Sequence, residues 1–209
     1  MPTELRLLIE PGHTAVVTCE MQQGIVGASS SMPDLAIEAR ESGMLEACFR
    51  LVAGARQAGV PVVHALIEFR ADRAGTAINN PLLGAMLKIP AHMLQGTPAA
   101  ELMSELGPAP SDLVSRRTHG LSPFTGTDLD TLLRNMGVTT IVPTGVSVNE
   151  ALFGLCIEAA NLGYRLALPT DAIAGLPRSY AEDVVRYSLS LMCNLTTSEA
   201  VLGCWSGRP

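Results

Sequence analysis

The sequence predicts an α/β fold: a single-domain three-layer sandwich, in which a mostly parallel sheet of about six strands is covered by helices on both faces. Short β-branched or apolar segments alternate with segments of helical period along the chain. This alternation is typical of a parallel sheet with crossover helices. Apolar residues make up 47% of the 209 residues, which is enough to cover both faces of such a sheet. We therefore expect residues 1–209 to form one domain.

The first half of the chain supplies three strands and one helix. The strands are predicted at residues 13–19, 62–67 and 113–115, and the helix at 34–58. Gly59 marks the end of the helix, since glycine is favoured just after a helix C-terminus. Residues 70–111 are irregular, with short helical pieces such as 98–106. A connection this long in a compact domain usually covers a site or an interface.

The second half continues the alternation. Its helices are predicted at residues 128–136, 149–162 and 178–192, and its strands at 139–144, 165–171 and 195–198. Thr127 is placed to cap the first of these helices. Ser147 and Glu150 have the S-x-x-E spacing of a capping box, which marks the start of the second helix.

The charge and the cysteine content exclude several classes of protein. The net charge is −6 and basic residues do not cluster beyond Arg116 and Arg117, which argues against a nucleic acid or an anionic membrane as a partner. The five cysteines are scattered, and all but Cys204 fall in apolar elements, so we expect reduced core thiols. No Cys or His spacing indicates a metal site, and no G-x-G-x-x-G or Walker A motif is present. We therefore expect no metal and no cofactor.

The N-terminal residues lack the basic region and long apolar stretch of a signal peptide. The sequence also has no apolar run of the length that spans a membrane. These observations favour a cytoplasmic protein.

Three groups of polar residues follow predicted strands and therefore meet at the carboxyl edge of the sheet. Glu20 and Gln22 follow the first strand, residues 116–119 follow the third, and the turn 145–150 follows the fourth. Chemistry is commonly placed at this edge of a parallel sheet. The next helix offers Ala151 in its first turn but no Ser, Cys or Thr, so the usual nucleophiles are absent there.

Three linked segments carry a resemblance to a known family. They read TAVVTCEMQ, SPFTGTDLDTLLRNMGVTTIVPTGVSVNEA and EAANLGYRLALPTDA. They resemble, in that order, the D-x-Q first strand, the S-x-F…G-V-x-(T/V) stretch and the G-Y…D-A segment of the isochorismatase-like cysteine hydrolase superfamily. The resemblance extends from residue 12 to residue 200. It implies an isochorismatase-like, Rossmann-like fold, a small-molecule substrate or ligand, and a homodimer or homotetramer in which residues 70–111 and Trp205 are candidate contacts.

The resemblance also implies the positions of a catalytic triad. The amidases of this superfamily use an Asp, a Lys and a Cys. Glu20 stands at the Asp position, with a side chain one methylene longer, and counting from the two sides places either Arg117 or Thr118 at the Lys position. Arg117 is favoured because it keeps a cation beside Glu20, although arginine does not release its proton near neutral pH. The Cys position falls on Ala151, whose side chain cannot form a thioester.

The expected substrate-binding residues are Gln22, Thr118, His119, Phe124, Ser147 and Asn149. Several of these residues allow a second interpretation. His119 could carry a proton or only pack and hydrogen-bond, and Phe124 could stack on a substrate ring or belong to the core. Asn149 could orient a carbonyl or cap the helix. Glu150 could be a second catalytic carboxylate, but its role in the capping box is favoured. The Val146–Ser147 peptide corresponds to one that is often cis in the superfamily.

The favoured function is a hydrolase of a small metabolite that does not use a cysteine. Isochorismatases of the superfamily also lack the cysteine and hydrolyse a vinyl ether after a carboxylic acid has protonated the substrate. Glu20 is the acid expected here, with Arg117 stabilising charge. The alternative is a catalytically inactive pseudoenzyme that binds a small molecule or serves as a scaffold, because three triad positions differ together. A third hypothesis is that the chain acts mainly as an oligomer subunit.

Overall fold

The computed structural model describes residues 4–206 and contains a six-stranded sheet whose paired strands all run parallel. The strands are β1 (Thr14–Cys19), β2 (Val62–Ile67), β3 (Leu113–Arg117), β4 (Thr140–Gly145), β5 (Arg165–Pro169) and β6 (Asn194–Thr196). Their spatial order is β3-β2-β1-β4-β5-β6. The α/β fold class is therefore confirmed, and residues 1–3 and 207–209 of the predicted domain lie outside the described residues.

Helices cover both faces of this sheet. The helices of the described residues are α1 (Leu5–Leu8), α2 (Pro33–Glu41), α3 (Met44–Gln57), α4 (Pro81–Met86), α5 (Leu129–Asn135), α6 (Ala151–Asn161), α7 (Arg178–Tyr187) and α8 (Ser198–Trp205). One core cluster joins α3 and α8 to one face of the sheet, and a second joins α5, α6 and α7 to the other face. The strands alternate between the two clusters: Val16 belongs to the first and Val17 to the second, as the two-residue period of a strand requires.

Two predicted helices are shorter in the structure than the sequence suggested. The helix predicted at 34–58 is two helices, α2 and α3, because Gly43 between them adopts a left-handed φ of 76° that ends one helix and redirects the chain. The helix predicted at 178–192 ends at Tyr187 and is followed by a 3₁₀ turn at Leu189–Leu191. In both cases the apolar period continues across the break, so the period alone did not reveal it.

The C-terminal helix α8 was not predicted. The apparent strand at 195–198 is shorter, and Thr197 instead accepts a hydrogen bond from the Ala200 N–H at 3.2 Å as the N-cap of α8. Trp205 at the end of this helix is half-buried, and its indole N–H donates to the Ile9 carbonyl at 2.8 Å. Much of Trp205 is therefore used within the chain rather than as a free contact surface.

Neither predicted helix cap has the expected geometry. Thr127 Oγ1 accepts from the Leu129 N–H at 3.2 Å, but the N-cap of α5 is Asp128, whose side chain forms no capping hydrogen bond. The capping box of Ser147 and Glu150 is not formed. The Ser147 hydroxyl donates to Asn149 Oδ1 at 2.9 Å, and the Glu150 N–H is satisfied by the Ser147 carbonyl at 3.0 Å. The Glu150 side chain is consequently not engaged at the helix start.

A buried polar cluster fixes the start of β3 against the neighbouring elements. Asp112 accepts from Arg56 of α3 at 2.7 Å and lies 3.3 Å from His64 of β2. The other ring nitrogen of His64 lies 2.7 Å from Thr18 Oγ1 of β1. Burial lowers the pKa of His64, so the imidazole is neutral near pH 7. The cluster sets the position from which β3 runs to Arg117.

The cysteine prediction is confirmed in the fold. All five cysteines are free; four of them are buried, and Cys204 is half-buried. Within residues 4–206, no helix has the length and apolar character needed to cross a membrane.

The glycine at the end of β4 gives a test of the close approach between β1 and β4. Gly145 has a φ of 107°, and a Cβ built there would lie 2.3 Å from the Cys19 carbonyl oxygen. We expect Gly145→Ala to lower the free energy of unfolding by more than about 3 kcal/mol, since backbone cannot move aside cheaply. The measurement is urea unfolding of the purified variant.

Gly137→Ala is the matched control for that variant. Gly137 also has a positive φ, 72°, but a Cβ there meets nothing within 4 Å. It should lose only about 1 kcal/mol, the cost of the left-handed backbone alone. Equal losses in the two variants would contradict the close approach.

Candidate active site

The candidate site lies at the carboxyl edge of the sheet, where the strand order reverses between β1 and β4. Open α/β sheets bind ligands at such a point. Glu20 follows β1 directly and has a φ of 54°, while residues 146–150 connect β4 to α6. A cavity of about 30 Å³ lies there, room for one or two water molecules. Its polar lining includes Glu20, His92, Arg117, Ser147 and Glu150, and Ala151 also faces it.

Glu20 and Arg117 form the central contact of the site. Arg117 Nη2 donates to Glu20 Oε1 in a short ion pair, and Arg117 Nε donates to the Gly120 carbonyl at 3.3 Å. The Arg117 side chain is only 3% exposed and that of Glu20 13%. The predicted cation beside Glu20 is therefore confirmed. Arg117 Nη1 is buried and has no hydrogen-bond partner among the described residues, so one strong donor of the site is uncommitted.

Ala151 is the first residue of α6 and is 4% exposed where it lines the cavity. Its methyl group offers no nucleophile. Cys19 and Cys156 pack in the same core cluster as Ala151. Burial raises the pKa of the Cys19 thiol, and the hydrogen bond with Cys193 together with burial raises the pKa of Cys156. Neither cysteine is therefore available as a thiolate at the cavity.

Glu150 lies in the cavity lining, although the sequence favoured a role for it in a capping box. It lines the cavity beside Glu20, and no described residue forms a hydrogen bond or ion pair with its carboxylate. Burial raises the pKa of Glu150, and the neighbouring Glu20 carboxylate raises it further. Its position immediately before Ala151 was the signal that could have favoured it.

One wall of the cavity is apolar and comes largely from segments whose role the sequence did not reveal. Met32 and Leu35 lie at the start of α2, and Leu83 and Met86 belong to α4. Because α4 lies within residues 70–111, this connection, which was expected to cover a site or an interface, forms part of the wall of the candidate cavity. Only the fold brings these side chains together, since no local motif joins them to Glu20.

His92, from the same connection, is a further residue that sequence reasoning missed. It is 3% exposed, and its Nδ1 lies 2.8 Å from the Ser31 hydroxyl. Burial, and to a smaller extent Arg73, lower the pKa of His92. It therefore contributes a neutral imidazole to the cavity near pH 7.

The structure places two of the expected substrate-binding residues in the interior of the protein. The Gln22 amide donates to the Ile67 and Ala100 carbonyls at 2.9 and 2.7 Å and accepts from the Ile67 N–H at 2.9 Å. Phe124 is 5% exposed and packs on the Tyr164 ring, with centroids 6.0 Å apart. Gln22 thus ties the loop after β1 to its neighbours. Phe124 belongs to the core, which was the alternative to stacking on a substrate.

Three other expected residues lie near the cavity without lining it. The Thr118 carbonyl accepts from Thr76 Oγ1 at 2.7 Å, and His119 Nδ1 accepts from the Ala77 N–H at 3.3 Å. Asn149 accepts from Ser147. Ser147 is the member of the predicted binding set that lines the cavity. The Val146–Ser147 peptide at this turn is cis.

The loop that follows β3 is held in place by α6. Glu158 of α6 accepts from the Thr125 N–H at 3.1 Å and from the hydroxyl groups of Ser122 and Thr125. The same loop supplies the Gly120 carbonyl that accepts from Arg117. Glu158 therefore holds the segment that positions the guanidinium. Within residues 4–206, no three His, Cys, Asp or Glu side chains gather as a metal ion would require.

Comparison with known families gives an extensive match. The model of the isochorismatase domain matches residues 14–200. The isochorismatase family protein YwoC of Bacillus subtilis (strain 168) is 28% identical over 199 residues, which is 94% of this chain and 96% of YwoC. The ureidoacrylate amidohydrolase RutB of Pseudomonas syringae pv. syringae (strain B728a) is 25% identical over 202 residues, 90% of this chain and 80% of RutB.

A solved structure shows the same fold. A cysteine hydrolase from Pseudomonas syringae pv. phaseolicola 1448A superimposes with a TM-score of 0.78 over 96% of this chain and 95% of its own, at 22% sequence identity. This similarity supports the arrangement of strands and helices described above.

Because the Glu150 carboxyl group has no partner among the described residues, we can predict how its ionisation changes the thermal stability of the protein. Because the pKa of Glu150 is raised in the folded state, the penalty on folding begins as the pH rises above the ordinary pKa of a glutamate, is complete above the folded pKa, and vanishes at lower pH. We expect Glu150→Gln to unfold at a higher temperature than the wild type at pH 8. The two proteins should unfold at the same temperature at pH 4.

Glu101→Gln, at an exposed glutamate outside the cavity, is the control and should match the wild type at both pH values. A wild type as stable as Glu150→Gln at pH 8 would show that the Glu150 carboxylate carries no penalty in the folded protein.

Proposed function

The chain belongs to the isochorismatase family of hydrolases, and from that premise we propose that it hydrolyses a small carbonyl compound without a cysteine nucleophile. Water attacks the carbonyl carbon in the space beside Ala151. Glu20 and Arg117 act as a unit, with Glu20 moving a proton and Arg117 stabilising negative charge. The single observation that carries the proposal is the buried Glu20–Arg117 ion pair, which lines one cavity with Ala151 and Glu150.

The contact with Arg117 favours one direction of proton transfer for Glu20. Sequence reasoning assigned Glu20 as an acid, which requires its protonated form. In the structure Glu20 is the acceptor of an ion pair with the Arg117 guanidinium, and a carboxylate oxygen is suited to take a proton from water. We therefore assign Glu20 as the base that activates the attacking water.

Arg117 is suited to stabilise the oxyanion that forms when water attacks. Its Nη2 and Nε are bonded to Glu20 and Gly120, while the buried Nη1 has no partner among the described residues. A donor fixed in place before the reaction stabilises developing charge at little reorganisation cost. Arginine keeps its proton, so it stabilises charge and leaves proton transfer to the carboxylates.

The cavity also restricts the substrate. Its one cation, Arg117, is already paired with Glu20, so the lining offers no free positive charge to neutralise a substrate with several negative charges. The wall formed by α2 and α4 favours an apolar substituent. RutB, which is similar to this chain, is named for an amidohydrolase activity. We therefore place a small neutral amide or ureide with an apolar group first among substrates.

The alternative function is a pseudoenzyme that binds a small molecule. The observation that favours it is the cavity itself, which is only about 30 Å³ and has an inert methyl group at the nucleophile position. On the hydrolase proposal, α4 and the following segment move outward to admit substrate. A turnover assay separates the two proposals.

The test is a panel of small amides, ureides and isochorismate incubated at high protein concentration. We expect turnover of at least one neutral amide or ureide by the wild type. Glu20→Gln should lower kcat/KM at least about 100-fold, because general acid–base groups contribute rate factors of this size. Glu20→Asp, which keeps a carboxylate at a residue with a φ of 54°, should retain part of the activity, since Asp tolerates this backbone region.

Glu101→Gln serves as the control, and circular dichroism with thermal unfolding checks that each variant is folded. No turnover of any panel compound by the wild type would favour the pseudoenzyme. Turnover that survives unchanged in folded Glu20→Gln would overturn the assignment of Glu20.

A further inference from the structure

We propose that Glu150 is the catalytic acid of this site and protonates the leaving group while Glu20 accepts a proton from water. This inference rests on the proposed hydrolase function and adds a residue to it. Two carboxyl groups, those of Glu20 and Glu150, line one cavity beside Ala151. One is bound to a cation and the other has no bonding partner among the described residues, so their environments differ in the way a base and an acid require.

The other charged and titratable groups of the cavity are committed elsewhere. Arg117 is bonded to Glu20 and to the Gly120 carbonyl, and His92 is bonded to the Ser31 hydroxyl. Arginine does not release a proton, and the lowered pKa of His92 leaves it without a second proton to give near pH 7. Among the residues that line the cavity, Glu150 is therefore the group suited to donate.

The backbone fixes where the Glu150 side chain begins. Its N–H donates to the Ser147 carbonyl at 3.0 Å, and its carbonyl accepts from the Gly154 N–H at 2.8 Å. The residue is thus held at the junction of the turn and α6, while its carboxyl group stays uncommitted. An acid needs this combination, because it must meet a leaving group that arrives only with the substrate.

The environment of Glu150 also keeps its proton at higher pH than an exposed carboxyl would. Burial raises the pKa of Glu150, and the negative charge of Glu20 raises it further. The protonated acid is present below the folded pKa and is lost as the pH rises through it.

Hydrolysis of an amide at this site takes place in two stages. The water oxygen bonds to the carbonyl carbon as one water proton passes to Glu20, and the carbonyl electron pair moves to the oxygen, which accepts a hydrogen bond from Arg117 Nη1. The C–O double bond then re-forms and the C–N bond breaks, with its electron pair remaining on nitrogen. Glu150 gives its proton to that nitrogen. The products are a carboxylic acid and an amine or ammonia, and exchange with solvent returns the proton from Glu20 to Glu150.

The test compares two butyryl compounds that differ in their need for an acid. Butyramide needs its nitrogen protonated, whereas p-nitrophenyl butyrate loses a stable phenolate without a proton. We expect Glu150→Gln to lower kcat/KM for butyramide about 100-fold or more and to change that for the ester by less than about threefold. Glu150→Asp should regain part of the butyramide rate. Glu101→Gln should match the wild type on both compounds.

The pH dependence provides a second measurement. Wild-type turnover of butyramide should fall as the pH rises through the folded pKa of Glu150, and this fall should be absent for the ester. The small residual butyramide activity of Glu150→Gln should also lack the fall. A merely structural role for Glu150 would lower both substrates together and leave the shape of the pH profile unchanged.

The outcomes separate this inference from the proposed function. Equal loss on both compounds in folded Glu150→Gln, no loss on either, or wild-type turnover of the ester alone would overturn the role of Glu150. If Glu20→Gln meanwhile abolishes turnover, the hydrolase function stands without Glu150 as its acid. Unchanged turnover in folded Glu20→Gln, or no wild-type turnover of either compound, would overturn the proposed function and this inference with it.

Discussion

The ion pair between Glu20 and Arg117 is the interaction on which the rest of the site depends. It joins the end of β1 to the end of β3 across the intervening strand β2, and both side chains are largely withdrawn from water. Removing one partner of such a pair typically costs about 3–5 kcal/mol, because the other charge is left buried and uncompensated. The surrounding structure holds the two side chains in position. The cluster around Asp112 fixes the start of β3, and Glu158 holds the loop whose Gly120 carbonyl accepts from Arg117.

The pair also leaves reactive groups in a site where Ala151 itself offers only an inert methyl group. The Glu20 carboxylate, one guanidinium donor without a partner among the described residues, and a second carboxyl at Glu150 remain at the edge where the strand order reverses. Holding Glu150 without a partner costs stability at neutral pH. Functional sites commonly carry such a cost, because the groups that react must not be satisfied by the protein itself.

The alternation of strands and helices predicted the fold class, because it is a pattern local in the chain. The resemblance to the superfamily placed Glu20 after β1 and left Arg117 and Thr118 as alternatives beside it, with Arg117 favoured for its charge. Sequence reasoning missed the apolar wall from α2 and α4 and also missed His92, because these side chains reach the cavity only through tertiary packing.

Gln22 and Phe124 sit in motifs that mark the site, yet their side chains support the scaffold. Glu150 was assigned to a capping box because spacing alone does not show that Ser147 turns towards Asn149.

The central claim is that water, and no side chain, attacks the substrate. The most direct measurement is intact-protein mass spectrometry of the wild type, quenched in acid during steady-state turnover of p-nitrophenyl butyrate. The account predicts that the protein keeps its unmodified mass throughout, since Ala151 offers no nucleophile and the thiols packed beneath it are buried. A butyryl adduct that forms and decays at the rate of turnover, on a cysteine or on any other residue, would contradict it.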